Sequence, residues 1–233
     1  MEYDGIPYRV IAPDAEIGEG TTIMPFAVIG SGVKIGKNCY IGTGCSVNAG
    51  VIIGEGTCVS SNVTVGASVL IGGNVFIGDG CSIGVFRSME RAVTDADVEC
   101  GFVELHDNVT IEPRCVIEYG FTKEEPTVID TDTTLCVGCY VKAGTFIGKD
   151  CTLSPYCYVG NKARLEGKNR FTAQIIIGER TVLEHGVCGI NRYLFKNDTT
   201  YKRHQKIDTS RNNDDYGKLY CYPKFDTFYK KDK

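Results

Sequence analysis

Aliphatic residues recur at every sixth position along most of the chain. From Ile11, a step of six residues reaches only isoleucine or valine as far as Ile83, and the next residue is usually glycine. After an interruption, the same spacing runs from Leu105 to Leu183 with one failure, at Lys123. The pattern predicts a structural unit of six residues that repeats through the chain.

A period of six predicts short strands. In a helix of 3.6 residues per turn, positions six apart would spread around the surface. On a strand an even spacing returns to the same face each time. Three strands per coil of about 18 residues would form a triangular prism, the hexapeptide type of β-solenoid. The sequence therefore predicts an all-β fold of roughly nine coils.

The interruptions of the repeat divide the chain into segments. We expect a lead-in over residues 1–10, the solenoid over residues 11–189 and a tail or cap over residues 190–233. A break at about residues 85–104 predicts an excursion loop, and a second irregularity at 120–128 costs one hexad. Excursions from a regular scaffold often carry function. The tail is aromatic and polar and shows no helical stripe.

Seven of the twelve cysteines share one phase of the hexad, four residues after the repeating aliphatic. They are Cys39, Cys45, Cys81, Cys115, Cys139, Cys151 and Cys157. A reduced cysteine acts as a small hydrophobic residue, which suits a position that points into the prism. Cys136 has another phase than Cys139, so their side chains should not converge as zinc requires. We expect packing thiols, no metal site, and a reducing, cytoplasmic location.

Charge and hydropathy exclude some classes of partner. A net charge of −4 and a pI near 5.5 argue against nucleic acid or an anionic membrane surface as the main partner. The sequence contains no run of about 18 consecutive apolar residues, so no transmembrane helix is expected. No basic run precedes an apolar stretch at the N-terminus, so no secretory signal is expected.

The order of the repeats and breaks resembles a known enzyme family. "CSIG" at 81–84, the loop, "FVELHDNVTIEPRCVIEYGF" and then "VIDTDTTLCVGCYVKAGTFIGKDC" resemble the UDP-N-acetylglucosamine O-acyltransferases of lipid A synthesis over about residues 11–188. The resemblance implies a left-handed parallel β-helix and a homotrimer with active sites between neighbouring prisms. It also implies transfer of an acyl group from acyl carrier protein or coenzyme A, as a cosubstrate, to a nucleotide-linked sugar, without a bound cofactor.

The chain departs from this family at the catalytic motif. There the motif reads approximately His-Ile-Ala-His-Asp, with the second histidine as base, and the matching residues here are 140–144, with Ala143 at the base position. The Gly-His pair of the family falls at Asn161 and Lys162, and only the cationic half of its sugar-binding Asp-x-Lys pair is kept, at Arg91. The resemblance thus implies Arg91, Asn161 and Lys162 as substrate-binding residues.

Another set of residues could replace the missing base. At 18 residues per coil, His106, Glu124 and Lys142 share a column, unless the defective hexad disturbs it. In a replacement site, His106 would be the base, Glu124 would orient it, and Lys142 would polarise the donor carbonyl. The alternative is a solvated charged face. His185 has the hexad phase of the family's base and is a further candidate for substrate binding.

Three functions from different classes follow. The first is an acyl- or acetyltransferase that acts on a nucleotide-linked sugar and needs a base, an oxyanion donor and alignment of both substrates. The second is a non-catalytic trimeric scaffold or ligand-binding relative that has lost the base. The third is a metal-dependent hydratase of the γ-carbonic-anhydrase type, which needs three converging histidines and is disfavoured because the chain has only three in all. Analogy of fold favours the transferase, but function depends on the site.

Overall fold

Short strands wind into a three-sided solenoid in this computed structural model, which describes residues 8–85, 102–190 and 192–203. Sheet A consists of β1 (Val10–Ile11), β4 (Val28–Ile29), β7 (Ser46–Val47), β10 (Thr64–Val65), β13 (Ser82–Val85), β16 (Val116–Glu118), β19 (Tyr140–Val141), β22 (Tyr158–Val159), β25 (Ile176–Ile177) and β28 (Leu194–Phe195). Sheet B consists of β2 (Glu16–Ile17), β5 (Lys34–Ile35), β8 (Ile52–Ile53), β11 (Val69–Ile71), β14 (Val103–Leu105), β17 (Thr127–Ile129), β20 (Phe146–Ile147), β23 (Arg164–Leu165), β26 (Val182–Leu183) and β29 (Thr200–Tyr201). Sheet C consists of β3 (Thr22–Ile23), β6 (Tyr40–Ile41), β9 (Cys58–Val59), β12 (Phe76–Ile77), β15 (Thr110–Ile111), β18 (Thr134–Leu135), β21 (Thr152–Leu153), β24 (Arg170–Phe171) and β27 (Cys188–Gly189).

Each strand pairs in parallel with the strand three places before it along the chain. This arrangement is the predicted left-handed parallel β-helix. The chain turns between strands at residues with positive φ, such as Gly20 (φ 74°) and Asn38 (φ 54°). Glycine adopts this conformation without a steric penalty, and asparagine adopts it more readily than most residues. The six-residue period is therefore a strand of two residues joined to a turn.

The repeating residue of each hexad, which is the last residue of most strands, points inward and builds the core. Ile29, Ile41, Ile53, Ile77 and the later members of this series are at most a few per cent exposed. The seven cysteines that share one hexad phase are also buried, and all ten cysteines of the described ranges are free thiols. Their predicted role as small packing residues is confirmed.

The solenoid extends further than the sequence predicts. Strands β28 and β29 follow the expected boundary at residue 189 and pair with β25 and β26. Within the described ranges the solenoid runs from Val10 to Tyr201, and sheets A and B each contain ten strands, so there are about ten coils instead of nine. The hexads continue past Gly189 because Phe195 and Tyr201 occupy inward positions, as Phe171 does earlier in the series.

Both irregularities of the repeat occur between a strand of sheet A and the next strand of sheet B, in successive coils. The first separates β13 from β14, and residues 86–101 lie outside the described ranges. The second is the segment Gly120–Pro126 between β16 and β17, and it lengthens the spacing between stacked residues from 18 to 24. Within the described ranges, no helix is long and apolar enough to cross a membrane.

Candidate functional site

His106 lies at the corner where sheet B passes into sheet C, directly after β14. Leu105 pairs with Ile129, so the residues that follow them, His106 and Asp130, are stacked in neighbouring coils. The Nδ1 atom of His106 lies 2.8 Å from Oδ1 of Asp130. The backbone N–H of Thr131 donates to the same oxygen at 2.7 Å, which fixes the carboxylate. A histidine held at Nδ1 by a carboxylate has a defined orientation and presents Nε2 to a substrate.

A second carboxylate, that of Glu104, also affects the pKa of His106. Glu104 Oε2 lies 3.5 Å from Nε2 of His106. Partial burial alone would lower the pKa of His106, but the hydrogen bonds and charges of Asp130 and Glu104 outweigh it and raise the pKa above its ordinary value. Burial would raise the pKa of Asp130, but its contacts with His106 and Thr131 lower it. The imidazole is a stronger base than a free histidine.

A cleft of about 550 Å³ opens beside His106. Glu104, Asp107 and Thr131 contribute to its polar part, and Ile52, Leu70 and Ile71 line an apolar wall. The His106 side chain is 43% exposed, so Nε2 can be reached by a ligand. The cleft is large enough for part of a nucleotide-sugar or of an acyl thioester.

The predicted column of His106, Glu124 and Lys142 is wrong. The excursion at 120–126 lengthens its coil by six residues and shifts the stacking, so Asp130 lies beside His106 in place of Glu124. Glu124 is exposed on that excursion. Lys142 follows β19 at the corner between sheets A and B, on the opposite edge of sheet B from His106.

Lys142 belongs to a separate polar cluster with Glu118 and Tyr140. The Tyr140 hydroxyl donates to Oε1 of Glu118 at 2.6 Å, and the Lys142 ammonium lies 3.5 Å from the same oxygen. Glu118 is fully buried, and its Oε2 has no hydrogen-bond partner among the described residues. Burial, and then the Glu118 carboxylate, raise the pKa of Tyr140. Ala143, at the position of the family's base, is fully buried and carries no proton acceptor.

The remaining predicted residues lie at several places. Asn161 and Lys162 lie at the same corner as Lys142, in the next coil. The Asn161 amide donates to Glu179 at 2.9 Å, and the Lys162 ammonium contacts Glu125 at 2.8 Å. These contacts engage the Lys162 ammonium and the Asn161 amide nitrogen, whereas Oδ1 of Asn161 is buried without a hydrogen-bond partner among the described residues.

Two predicted residues are not part of the His106 cleft. His185 is exposed after β26, four strands along sheet B from β14. Arg91 lies outside the described ranges.

Sequence reasoning missed Asp130 and Glu104. Asp130 follows Ile129 in the phase in which His106 follows Leu105, so it stacks on His106 once the hexad with Lys123 is counted as an excursion. Glu104 precedes an inward leucine and therefore points outward beside His106. Within the described part of the chain, no group of three or more His, Cys, Asp or Glu side chains could hold a metal ion.

Comparison with known proteins identifies the repeat and the fold. The family described as bacterial transferase hexapeptide (six repeats) matches residues 14–49 and 32–67. Among solved structures, Arabidopsis UDP-N-acetylglucosamine acyltransferase is 21% identical, with a TM-score of 0.56 over 79% of this chain and 70% of that one. The likeness to the Arabidopsis enzyme shows a shared fold. The chain therefore has a β-helix fold built from hexapeptide repeats.

Two further solved structures match with lower TM-scores. LpxA, a UDP-N-acetylglucosamine acyltransferase from Bacteroides fragilis 9343, is 19% identical, with a TM-score of 0.48 over 84% of this chain and 70% of that one. The acetyltransferase domain of PglB from Neisseria gonorrhoeae FA1090 is 15% identical, with a TM-score of 0.36 over 59% of this chain and 47% of that one. No curated protein sequence matches the chain significantly.

Proposed function

We propose that the protein is an acyl- or acetyltransferase with His106 as its general base. The observation that carries this proposal is the His106–Asp130 pair, 2.8 Å apart, at the edge of an open cleft. The pair is a base with its orienting carboxylate, which is the arrangement that acyl transfer to a hydroxyl or amine requires. It lies on a fold shared with an acyltransferase.

In the proposed step, the acceptor hydroxyl or amine gives its proton to Nε2 of His106 while its oxygen or nitrogen bonds to the thioester carbonyl carbon. The carbon–sulfur bond then breaks, and the leaving thiolate takes the proton back from His106. Asp130 keeps the proton of His106 on Nδ1 and stabilises the imidazolium that forms between the two transfers. A base of this kind contributes about 10²–10⁴ in rate.

The proposed substrates are an acyl donor and a nucleotide-linked sugar. The Arabidopsis enzyme that shares the fold is named for UDP-N-acetylglucosamine, and this supports a UDP-sugar as acceptor. The proposed donor is a thioester of coenzyme A or acyl carrier protein, and the proposed reaction needs no bound cofactor. A location in the cytoplasm agrees with the free thiols of the described ranges.

We further propose that the active form is a homotrimer. Tyr158, Ile176 and Leu194 form an exposed apolar column on sheet A, stacked in register in three successive coils. Such a column gains free energy when another prism covers it. Light scattering should give a mass about three times that of the 25.4 kDa chain. A monomer at micromolar concentration would contradict this assembly.

A screen of donors and acceptors tests the function. The purified protein is mixed with coenzyme A and acyl carrier protein thioesters and with UDP-sugars, and the products are measured by mass spectrometry. Thermal unfolding is followed in parallel, since a ligand at 100 times its dissociation constant stabilises the fold by about 2.7 kcal/mol. We expect product and a stabilising shift with at least one donor and one acceptor.

The screen also tests the non-catalytic alternative. A non-catalytic scaffold is favoured by one observation, the buried Ala143 at the position of the family's base. If neither turnover nor a thermal shift occurs with any pair, the transferase proposal is wrong and the scaffold is supported. A thermal shift without turnover would support a ligand-binding relative.

A further inference from the structure

One wall of the cleft beside His106 is apolar and has a limited length. Leu70 pairs in register with Ile52 on one side and with Glu104 on the other, so the three side chains form one column on the outer face of sheet B. Ile52 is 44% exposed and Leu70 is 37% exposed, and both line the cleft. Exposed aliphatic side chains next to a catalytic base form a surface for an apolar part of a ligand.

Charged residues close this wall at both ends. Ile52 pairs with Lys34, and Lys34 pairs with Glu16 in the preceding coil. The Lys34 ammonium and the Glu16 carboxylate form an ion pair at 2.9 Å. This pair lines the surface next to Ile52, on the side away from His106. At the other end, Glu104 pairs with Leu70 in the next coil and contacts His106. The apolar stretch is therefore two coils long.

We infer that the donor carries a short, unbranched apolar acyl group, which lies along Leu70 and Ile52 with its thioester carbon at His106. This inference rests on the proposed function. Two coils at about 4.8 Å each give roughly 10 Å of apolar wall. With carbon–carbon bonds of about 1.5 Å, an extended chain of roughly eight carbons covers this length. A longer chain would have to lie on Lys34 and Glu16, which would desolvate an ion pair without compensation.

Dependence on chain length tests the inference directly. Each methylene that is fully removed from water adds about fourfold to affinity, and about twofold where only half of it is covered. For acetyl-, butyryl-, octanoyl- and tetradecanoyl-coenzyme A, we expect kcat/KM and calorimetric affinity to rise roughly tenfold from butyryl to octanoyl. No further gain is expected with tetradecanoyl. A flat series, or a continued gain up to tetradecanoyl, would overturn the inference.

Variants of the wall and of its charged end sharpen the test. Leu70→Gln should remove most of the gain from butyryl to octanoyl, when each rate is divided by the rate of the same variant with acetyl-coenzyme A. The double variant Glu16→Leu with Lys34→Leu extends the wall, so we expect tetradecanoyl to gain about tenfold over octanoyl. Both replaced side chains are more than half exposed, so the fold should tolerate the change. Thr64→Leu, an equally exposed change on sheet A, is the control and should leave the series unaltered.

The outcomes separate this inference from the proposed function. Turnover that does not depend on acyl chain length would contradict the inference but not the transferase proposal. The same holds if Leu70→Gln shows the chain-length dependence of the wild-type protein. Chain-length-dependent binding without turnover supports the apolar wall and contradicts the transferase. Absence of both binding and turnover contradicts both.

Discussion

At the residue scale, the proposed chemistry depends on one histidine between two carboxylates. Asp130 holds Nδ1 of His106 at 2.8 Å, and Glu104 approaches Nε2 at 3.5 Å. The first contact fixes the tautomer, and the second raises the basicity without a close hydrogen bond that would occupy the reactive nitrogen. The two carboxylates therefore have different roles, which substitution can separate.

Removal of the orienting carboxylate should reduce turnover strongly. We expect Asp130→Asn to lower kcat by about 100-fold or more, because an amide can hold His106 in the wrong tautomer. Asp132→Asn is the matched control, since Asp132 is two residues away and contacts Asn108 and Lys149 instead. Steady-state kinetics of both proteins checks this expectation. Equal rates in the two variants would show that Asp130 does not orient the base.

The second carboxylate should appear in the pH profile. A base acts when it is unprotonated, so kcat/KM should rise with pH through the pKa of His106 in the free protein. Glu104 helps to raise this pKa, and Glu104→Gln should therefore move the rising limb to lower pH. The measurement is kcat/KM across pH 5 to 9 for both proteins. A limb that stays in place, or moves to higher pH, would contradict the assigned influence of Glu104.

At the element scale, the second excursion determines which residues meet. The hexad period alone predicts the strands, the inward aliphatics and the buried thiols, because each depends only on local alternation. Stacking across coils depends on the length of every intervening turn, and the excursion at 120–126 adds six residues to its coil, so that Asp130 takes the place of Glu124 beside His106. The sequence places the end of the solenoid too early because Gly189 interrupts the apolar series before Phe195 and Tyr201 continue it.

Tyr119 packs at the corner between sheets A and B, where both irregularities of the repeat occur. Its hydroxyl donates to the Ala67 carbonyl at 2.9 Å, and a Cβ at Gly66 would collide with this hydroxyl and with the Gly84 carbonyl. Gly66→Ala should therefore lower the free energy of unfolding by about 3 kcal/mol through overpacking. Gly32→Ala is the control, since a Cβ there meets nothing and costs only about 1–2 kcal/mol for a left-handed φ of 66°. Denaturant unfolding compares the two, and equal losses would contradict the tight corner.

At the scale of the whole molecule, the β-helix is a one-dimensional stack whose last coil depends on aromatic packing. Phe195 is fully buried and makes edge-to-face contacts with Phe171, Tyr193 and Tyr201. In a stack of this kind each coil is stabilised mainly by its neighbours, so the end coil opens first. Aromatic side chains in place of aliphatic ones bury more area at this end.

Truncation of Phe195 should open the end of the stack. The Gly178 amide donates to the Phe195 carbonyl at 2.8 Å, and its hydrogen exchange reports opening of the last coil. We expect Phe195→Ala to reduce the opening free energy at Gly178 by about 3 kcal/mol. Thr200→Ala should change it little, because Thr200 is an exposed residue of β29 on sheet B, away from the proposed trimer contact. Similar exchange in the two variants would mean that residues 192–201 do not close the solenoid.

The most direct test of the account is the rate of acyl transfer by His106→Ala. With the donor and acceptor identified by the screen, we expect kcat to fall by about 10²–10⁴. The melting temperature should stay close to that of the wild-type protein, because the His106 side chain is partly exposed. A folded His106→Ala protein that retains kcat within a factor of three would contradict the assignment of His106 as the base.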